Sequence, residues 1–334
     1  MESANKSKIA SFLLKVFIVG LSFYFIYRQI FYKQELEEIK KGFSELFSDH
    51  FDFLSLGITL GLMLVNWGIE AEKWRMLVTK YEQISFWVAY EAIFTGVTIS
   101  IFTPNRIGEY AGRIFHLENA DLIKASLASV IGSIAQLLAT IIFGTIGLLY
   151  IYPVYFQSFT IITPLKYFIL ALLVIVGLFL LVVVFINSYI FTTIISKIHF
   201  LGKLKKYGKI FSYYTKGELG LLLSLSSIRY LIFSIQYYIL LRTFNVDLPL
   251  FDGLLMVFSV FLVLSIIPSI SIAELGIRGS VAIFFFGMIS GNKLGIITAS
   301  FGLWLINLVL PAIIGSLFVF NLKFIRKNKH YLDE

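Results

Sequence analysis

The sequence predicts an all-α polytopic membrane protein. We expect an inverted repeat of two halves, each with about three spanning helices and one broken or re-entrant helical hairpin. Three observations predict this fold class. First, 58% of the 334 residues are hydrophobic and only 14% are charged, whereas soluble domains carry roughly 25% charged residues. Second, apolar runs long enough to cross a bilayer recur along the whole chain. Third, the polar residues that interrupt these runs recur in the same order in both halves.

The apolar runs define the predicted helices in order. The first begins after a basic N-terminus and has no small-residue cleavage pattern, so we expect a retained first span. The charged stretch 70–83 is expected to form an amphipathic connector outside the second span. The apolar segments are 10–31, 53–69, 84–103, 122–150, 165–187, 219–244, 250–267, 275–290 and 295–321.

Loop charges orient these segments. The connector 188–217 carries six lysines and no acidic residue, and the tail 322–334 is also basic. Because Lys and Arg concentrate in cytoplasmic loops, both are expected on the cytoplasmic side, and 151–164, without Lys or Arg, outside. We expect one transmembrane domain over 1–321 in the cell (inner, cytoplasmic) membrane, with both termini cytoplasmic.

The internal repeat relates residues 10–150 to residues 165–321. With a hairpin that returns to its own side, the two halves start on opposite sides of the membrane. Such inverted repeats are typical of transporters, whose sites lie near the midplane where broken helices meet. The matched pairs are Phe86 with Phe251, Ser100 with Ser265 and Glu109 with Glu274 at an offset of 165 residues, and Gln136 with Asn307 and Gly144 with Gly315 at an offset of 171.

Each half also contains a predicted helix break followed by a Glu-x-x-x-Arg motif. Freed backbone groups are tolerated at membrane depth only inside protein or beside a wet cavity. The i,i+4 spacing places acid and base on one helix face, so each pair forms either a headgroup site or an interfacial salt bridge. The breaks are at Pro104 and Pro268, and the motifs are Glu109–Arg113 and Glu274–Arg278.

Further polar residues inside apolar segments complete the candidate substrate-binding set. Arg229 is expected to face a polar cavity, because an intramembrane arginine is usually paired or functional. Gln136 and Asn307 either line the same site or form interhelical hydrogen bonds. Glu91 is a candidate for carrying protons, together with Glu109 and Glu274. The expected substrate-binding residues are Arg106, Glu109, Arg113, Gln136, Arg229, Glu274, Arg278 and Asn307.

Several function classes are not supported by the sequence. There is no cysteine, His116 and His199 are isolated, and neither a catalytic triad, a metal-ligand spacing nor a P-loop is apparent. We therefore expect no enzyme activity, metal or cofactor. The net charge of +8 lies in short loops and the tail, where it fits anionic lipid rather than nucleic acid.

At these residues the chain resembles the transmembrane domain of the lysylphosphatidylglycerol synthase, flippase-like membrane protein family. The resemblance rests on Pro104, Arg106, Gly108-Glu109 and Arg113, and on "PSISIAELGIR" at 268–278. It covers about residues 10–320 and implies movement of lipids or lipid-linked headgroups between leaflets. The second motif departs from the family pattern, because Glu274 precedes Arg278 and Gly279 follows it.

The leading expectation is a lipid translocator for an anionic phospholipid or lipid-linked headgroup. One alternative is a non-transporting membrane partner of a glycosyltransferase or lipid-modifying enzyme, docked through the basic connector 188–217. Another is an intramembrane lipid-modifying enzyme. The sequence predicts no particular oligomeric state.

Overall fold

A computed structural model describes residues 9–10, 12–18, 20–21, 24, 53–103, 106–155, 163–187, 211–267 and 274–322, except the side chains of residues 274 and 321. All regular secondary structure in the described part is helical, and five of the helices there are long and apolar enough to cross a membrane. The chain is thus a multi-pass membrane protein. Its helices are α1 (Phe53–Val78), α2 (Phe86–Ser100), α3 (Gly108–Ile114), α4 (Leu122–Tyr155), α5 (Pro164–Ile186), α6 (Lys216–Thr243), α7 (Leu250–Ile266), α8 (Glu274–Phe286) and α9 (Lys293–Phe318).

The helix lengths follow the predicted order of segments. The long helices are α1, α4, α5, α6 and α9, whereas α2, α7 and α8 are apolar but shorter. The short helices occupy the places where the sequence predicts broken hairpins. In the predicted first span, residues 12–18 are helical. The predicted breaks at Pro104 and Pro268, most of the connector 188–217 and the tail beyond residue 322 lie outside the described residues.

One boundary prediction is wrong. The stretch 70–83 is not a separate connector, because α1 continues through it to Val78. Asn66, Glu70 and Lys73 recur at the spacing of one helix face and are all buried. Charged residues inside a span are tolerated when they pair with one another, and here they do.

α2 and α3 form an antiparallel hairpin with almost no side chain between them. A Cβ added to Gly112 would lie 2.6 Å from Gly96 Cα, and one on Gly108 would lie 2.8 Å from the Ile99 carbonyl oxygen. The chain reverses between Ile99 and Gly108, where the Gly108 N–H donates to Thr103 Oγ1 at 2.9 Å. Glycine is required at these positions, since any side chain would push the two backbones apart.

Two further helix pairs pack closely across the molecule. α7 packs along α4, and α2 packs against the C-terminal part of α9. Thr98 Oγ1 on α2 donates to the Ala312 carbonyl on α9 at 2.8 Å. α5 lies at the periphery, with only Phe185 buried among its residues, so its surface suits lipid. The polar site lies among α1, α3, α4, α6 and α9.

Candidate functional site

A cluster of charged side chains is buried between α1, α3 and α6, with Glu70 at its centre. Glu70 Oε1 lies 2.9 Å from Arg113 Nη2, and Oε2 lies 3.1 Å from Lys73 Nζ. Oε2 also lies 3.0 Å from Arg229 Nη1. The exposed fraction is 9% for the Glu70 side chain and 1% for Lys73. One carboxylate therefore connects three helices through three cations.

Gln136 of α4 extends this cluster to a fourth helix. Its carbonyl oxygen accepts from Lys73 Nζ at 3.2 Å and from Arg229 Nη1 at 3.3 Å. Its amide donates to the Ser226 carbonyl of α6 at 3.3 Å. Gln136 thus forms the interhelical hydrogen bonds that the sequence offered as one of its two interpretations.

The first Glu-x-x-x-Arg motif belongs to this cluster. Arg113 pairs with Glu109 one turn earlier on α3 and with Glu70 on α1. Arg113 is 4% exposed, because α3 packs directly against Gly96 of α2. Of these two carboxylates, Glu70 belongs to α1 and connects the hairpin to that helix, whereas Glu109 lies on α3 itself.

A cavity of about 290 Å³ lies beside the cluster. Three arginines line it: Arg106 from the turn before α3, Arg229 from α6 and Arg278 from α8. Among the described lining residues, none is acidic. The remaining lining residues are polar or apolar side chains of α1, α4, α6, α7 and α9, namely Asn66, Trp67, Gln136, Thr140, Tyr230, Phe233, Phe261, Leu264, Ser265, Leu303, Trp304, Asn307 and Leu308.

Arg106 reaches the cavity from an unusual backbone conformation. Its φ of 57° lies in the left-handed region, which costs a residue with a Cβ roughly 1–2 kcal/mol. Such outliers concentrate at functional sites. The turn that reverses the chain between α2 and α3 thus places a guanidinium on the cavity wall.

Arg229 is oriented from two sides. Its guanidinium carbon lies 5.1 Å from the centre of the Trp67 ring, a cation–π arrangement. Its Nη1 contacts Glu70 and Gln136, while its Nε is buried without a hydrogen-bond partner among the described residues. Arg229 therefore belongs to both the charged cluster and the cavity wall, and it connects the two.

Four more lining side chains carry buried polar atoms that have no hydrogen-bond partner in the described part of the chain. They are Asn66 Oδ1, Trp67 Nε1, Trp304 Nε1 and Asn307 Oδ1. An unmade hydrogen bond at a buried polar group costs about 1–3 kcal/mol. The cavity is therefore a place where a hydrogen-bonding ligand would recover energy.

The backbone of α9 changes at this cavity. The segment Leu305–Val309, which contains Asn307, is π-helical. Single π-helical turns inside α-helices occur frequently at functional sites. Asn307 Nδ2 donates to the Leu303 carbonyl one turn back at 3.2 Å, and its Oδ1 remains without a partner.

The predicted site residues fall into three groups. Arg106, Gln136, Arg229, Arg278 and Asn307 line the cavity. Glu109 and Arg113 lie in the charged cluster and are not among the lining residues. Glu91 is half-buried on α2 and is not among them either. The Glu274 side chain lies outside the described residues.

Sequence reasoning missed Glu70, Lys73, Asn66, Trp67 and Trp304. Glu70 and Lys73 were assigned to a connector because the apolar run ends at residue 69. Their spacing could have identified them, because Asn66, Glu70 and Lys73 continue one helix face, and acid and base stand three residues apart. Trp67 and Trp304 gave no signal, since their polar atoms belong to otherwise apolar side chains.

The comparisons with known proteins agree with this membrane architecture. The model of the family described as "Lysylphosphatidylglycerol synthase TM region" matches residues 10–315. No curated protein and no solved structure matches the chain.

Proposed function

Because the chain belongs to the lysylphosphatidylglycerol synthase TM region family, we propose that it moves an anionic phospholipid or lipid-linked headgroup between leaflets of the membrane. Membership by itself connects the chain with lipid modification or translocation in a membrane. The observation that carries the finer proposal is the cavity with Arg106, Arg229 and Arg278 on its wall and no acidic side chain among its described lining residues.

The charge balance favours an anion in this cavity. The cluster holds Lys73, Arg113 and Arg229 against two carboxylates, and Arg106 and Arg278 bring two further guanidinium groups to the cavity wall. An arginine at the centre of a span costs roughly 2.5–3.5 kcal/mol even on mild scales. A phosphate oxygen binds a planar guanidinium in bidentate fashion. A phosphate-bearing headgroup would therefore offset part of the cost of these charges.

We further propose that the two halves form an inverted repeat. The packing supports it, because two of the extensively packed helix pairs are related by the repeat: α2 with α9, and α7 with α4. Gly315 on α9 faces the Phe94 carbonyl of α2, and its repeat counterpart Gly144 on α4 faces Leu262 and the Phe258 carbonyl of α7. Equivalent glycines thus make equivalent helix contacts in the two halves.

In this proposal the headgroup passes through the cavity while its acyl chains stay in the lipid. The arginines replace the water that hydrates the phosphate, and Glu70 holds Arg229 while the cavity is empty. An incoming phosphate then exchanges with the Glu70 carboxylate at Arg229, and Lys73 and Arg113 remain to compensate Glu70. The protein acts without chemical change of the lipid, in the cell membrane with both termini cytoplasmic.

Leaflet exchange in proteoliposomes tests the proposal. Wild-type protein should accelerate exchange of a fluorescent phosphatidylglycerol, and Arg278→Ala should slow it about 10- to 100-fold, because a hydrogen bond to a charged group contributes about 1.5–3 kcal/mol. Arg242→Ala is the matched control, because Arg242 is 48% exposed and pairs with Asp247 at the end of α6. No acceleration of any anionic lipid by wild-type protein would reject translocation, and a new lipid product in the vesicles would favour an enzyme.

A further inference from the structure

Two helices bring the same pair of unpartnered groups to the cavity. α1 supplies Asn66 and Trp67, and α9 supplies Trp304 and Asn307. In each pair the carboxamide oxygen and the indole N–H lack a hydrogen-bond partner within the described chain. All four side chains are buried, at 3–7% exposure. α1 contacts the π-helical turn of α9 directly, so the two pairs belong to one region of the cavity.

The chemistry of these groups defines what would satisfy them. An indole N–H only donates and a carboxamide oxygen only accepts, so each helix offers one donor and one acceptor. A hydroxyl group donates one hydrogen bond and accepts others. Neutral hydroxyls beside the phosphate would therefore complete both pairs at once.

An ammonium group fits the same region poorly. It donates but does not accept, so the Trp67 and Trp304 N–H groups would stay unpaired. It would also stand in a poorly screened cavity beside Arg229 and Arg278, where like charges repel more strongly than in water. Among the described lining residues, no carboxylate is present to hold it.

Resting on the translocation function proposed above, we propose that the cavity selects lipids whose phosphate carries a neutral, hydroxyl-bearing headgroup, such as glycerol or another polyol. Lipids whose headgroup ends in an ammonium are rejected. The arginines bind the phosphate, and the Asn66–Trp67 and Trp304–Asn307 pairs form hydrogen bonds with the hydroxyls of the headgroup.

Lipid retention by the purified protein in detergent tests this selection directly. Native mass spectrometry would follow an equimolar mixture of phosphatidylglycerol, phosphatidylmethanol and phosphatidylserine. All three carry one net negative charge, but phosphatidylmethanol lacks the hydroxyls and phosphatidylserine carries an ammonium. We expect phosphatidylglycerol to be retained about 30-fold over each of the others, since two hydrogen bonds contribute about 1 kcal/mol each.

A matched pair of variants assigns the selection to the cavity. Trp304→Phe removes one indole N–H and keeps an aromatic ring, and should lower the preference for phosphatidylglycerol over phosphatidylmethanol about fivefold. Asn307→Ala should lower it to a similar degree. Trp87→Phe is the control, because Trp87 is 70% exposed on α2 and is not among the lining residues, and it should keep the wild-type preference.

The outcomes separate this inference from the proposed function. Equal retention of phosphatidylglycerol and phosphatidylmethanol, a preference for phosphatidylserine, or equal effects of Trp304→Phe and Trp87→Phe would overturn it, even where vesicles show leaflet exchange. Selective retention without exchange in vesicles would support it and reject translocation. Displacement of the lipid by an equal concentration of soluble glycerol 3-phosphate would overturn the assignment to a lipid.

Discussion

Replacing Glu70 by glutamine keeps the shape of the side chain and removes a charge that contacts three cations, two of which are buried. The side chains of Lys73 and Arg113, which pair with Glu70, are 1% and 5% exposed. Water therefore cannot solvate these cations in place of the lost carboxylate. After the change, Glu109 is the carboxylate that remains in contact with Arg113. Removing one partner of a buried pair costs about 3–5 kcal/mol, and we expect Glu70→Gln to lower the free energy of unfolding by that amount.

Thermal unfolding in detergent, followed by tryptophan fluorescence, measures this effect. The expected loss corresponds to a fall in melting temperature of roughly 6–20 °C, at about 2–4 °C per kcal/mol. Glu72→Gln is a matched control on the same helix. Glu72 pairs with Arg75 at 2.7 Å, also three residues on, but the two side chains are 39% and 40% exposed. Exposed pairs contribute about 0–1 kcal/mol, so equal shifts for Glu70→Gln and Glu72→Gln would refute the reasoning.

A second prediction for the same cluster concerns the effect of Lys73→Met on stability. In the wild type this change leaves Glu70 and Glu109 against Arg113 and Arg229, a balanced set of charges. It should therefore cost less than Glu70→Gln. In the Glu70→Gln background it removes a cation that has lost its carboxylate, and should restore part of the melting temperature. A further loss in the double variant would show that the cluster is not held by charge balance.

Two other predictions concern packing and topology. Gly315→Ala should lower stability by about 1–3 kcal/mol, as overpacking does, because its methyl group would collide with the Phe94 carbonyl; Gly57→Ala, with open space around it, should leave the melting temperature unchanged. Cysteines introduced at the exposed positions Thr79 and Asp247 should react with an impermeant reagent from opposite sides of the membrane, and labelling from the same side would exclude the inverted repeat.

Hydropathy was sufficient to place the helices, because a bilayer imposes a minimum length on every span. The five long helices and three short ones fall where the apolar runs predict them. The sequence also predicted a break after α2, from Pro104 and from the charged residues that follow it. The close packing of α2 against α3 through Gly96 and Gly112 could not be predicted. Glycines are common at many kinds of helix contact in membranes, so their presence does not identify the partner helix.

The charged cluster shows the limit of the same reasoning. When hydropathy is averaged over a window, the second span ends at residue 69, because Glu70 and Lys73 each lower the average. Inside the protein these two charges compensate each other at 3.1 Å, so together they cost far less than the sum of their single values. The pairing partner Arg229 lies more than 150 residues away in sequence, and only the packing of α1 against α6 brings it near.

The two Glu-x-x-x-Arg motifs resemble each other in sequence, and yet their arginines lie in different surroundings. Arg113 is enclosed by Glu109 and Glu70, whereas Arg278 lines the cavity. Glu70 lies on α1 opposite the first motif and gives Arg113 a second carboxylate. An arginine held by two carboxylates is poorly placed to bind an anion, because each contact must be broken first. Under the function proposed above, the first motif is better suited to fixing the hairpin in place, and the second to binding a headgroup. Arg113→Ala should accordingly lower stability more than Arg278→Ala does, while Arg278→Ala should have the larger effect on lipid exchange in the folded protein.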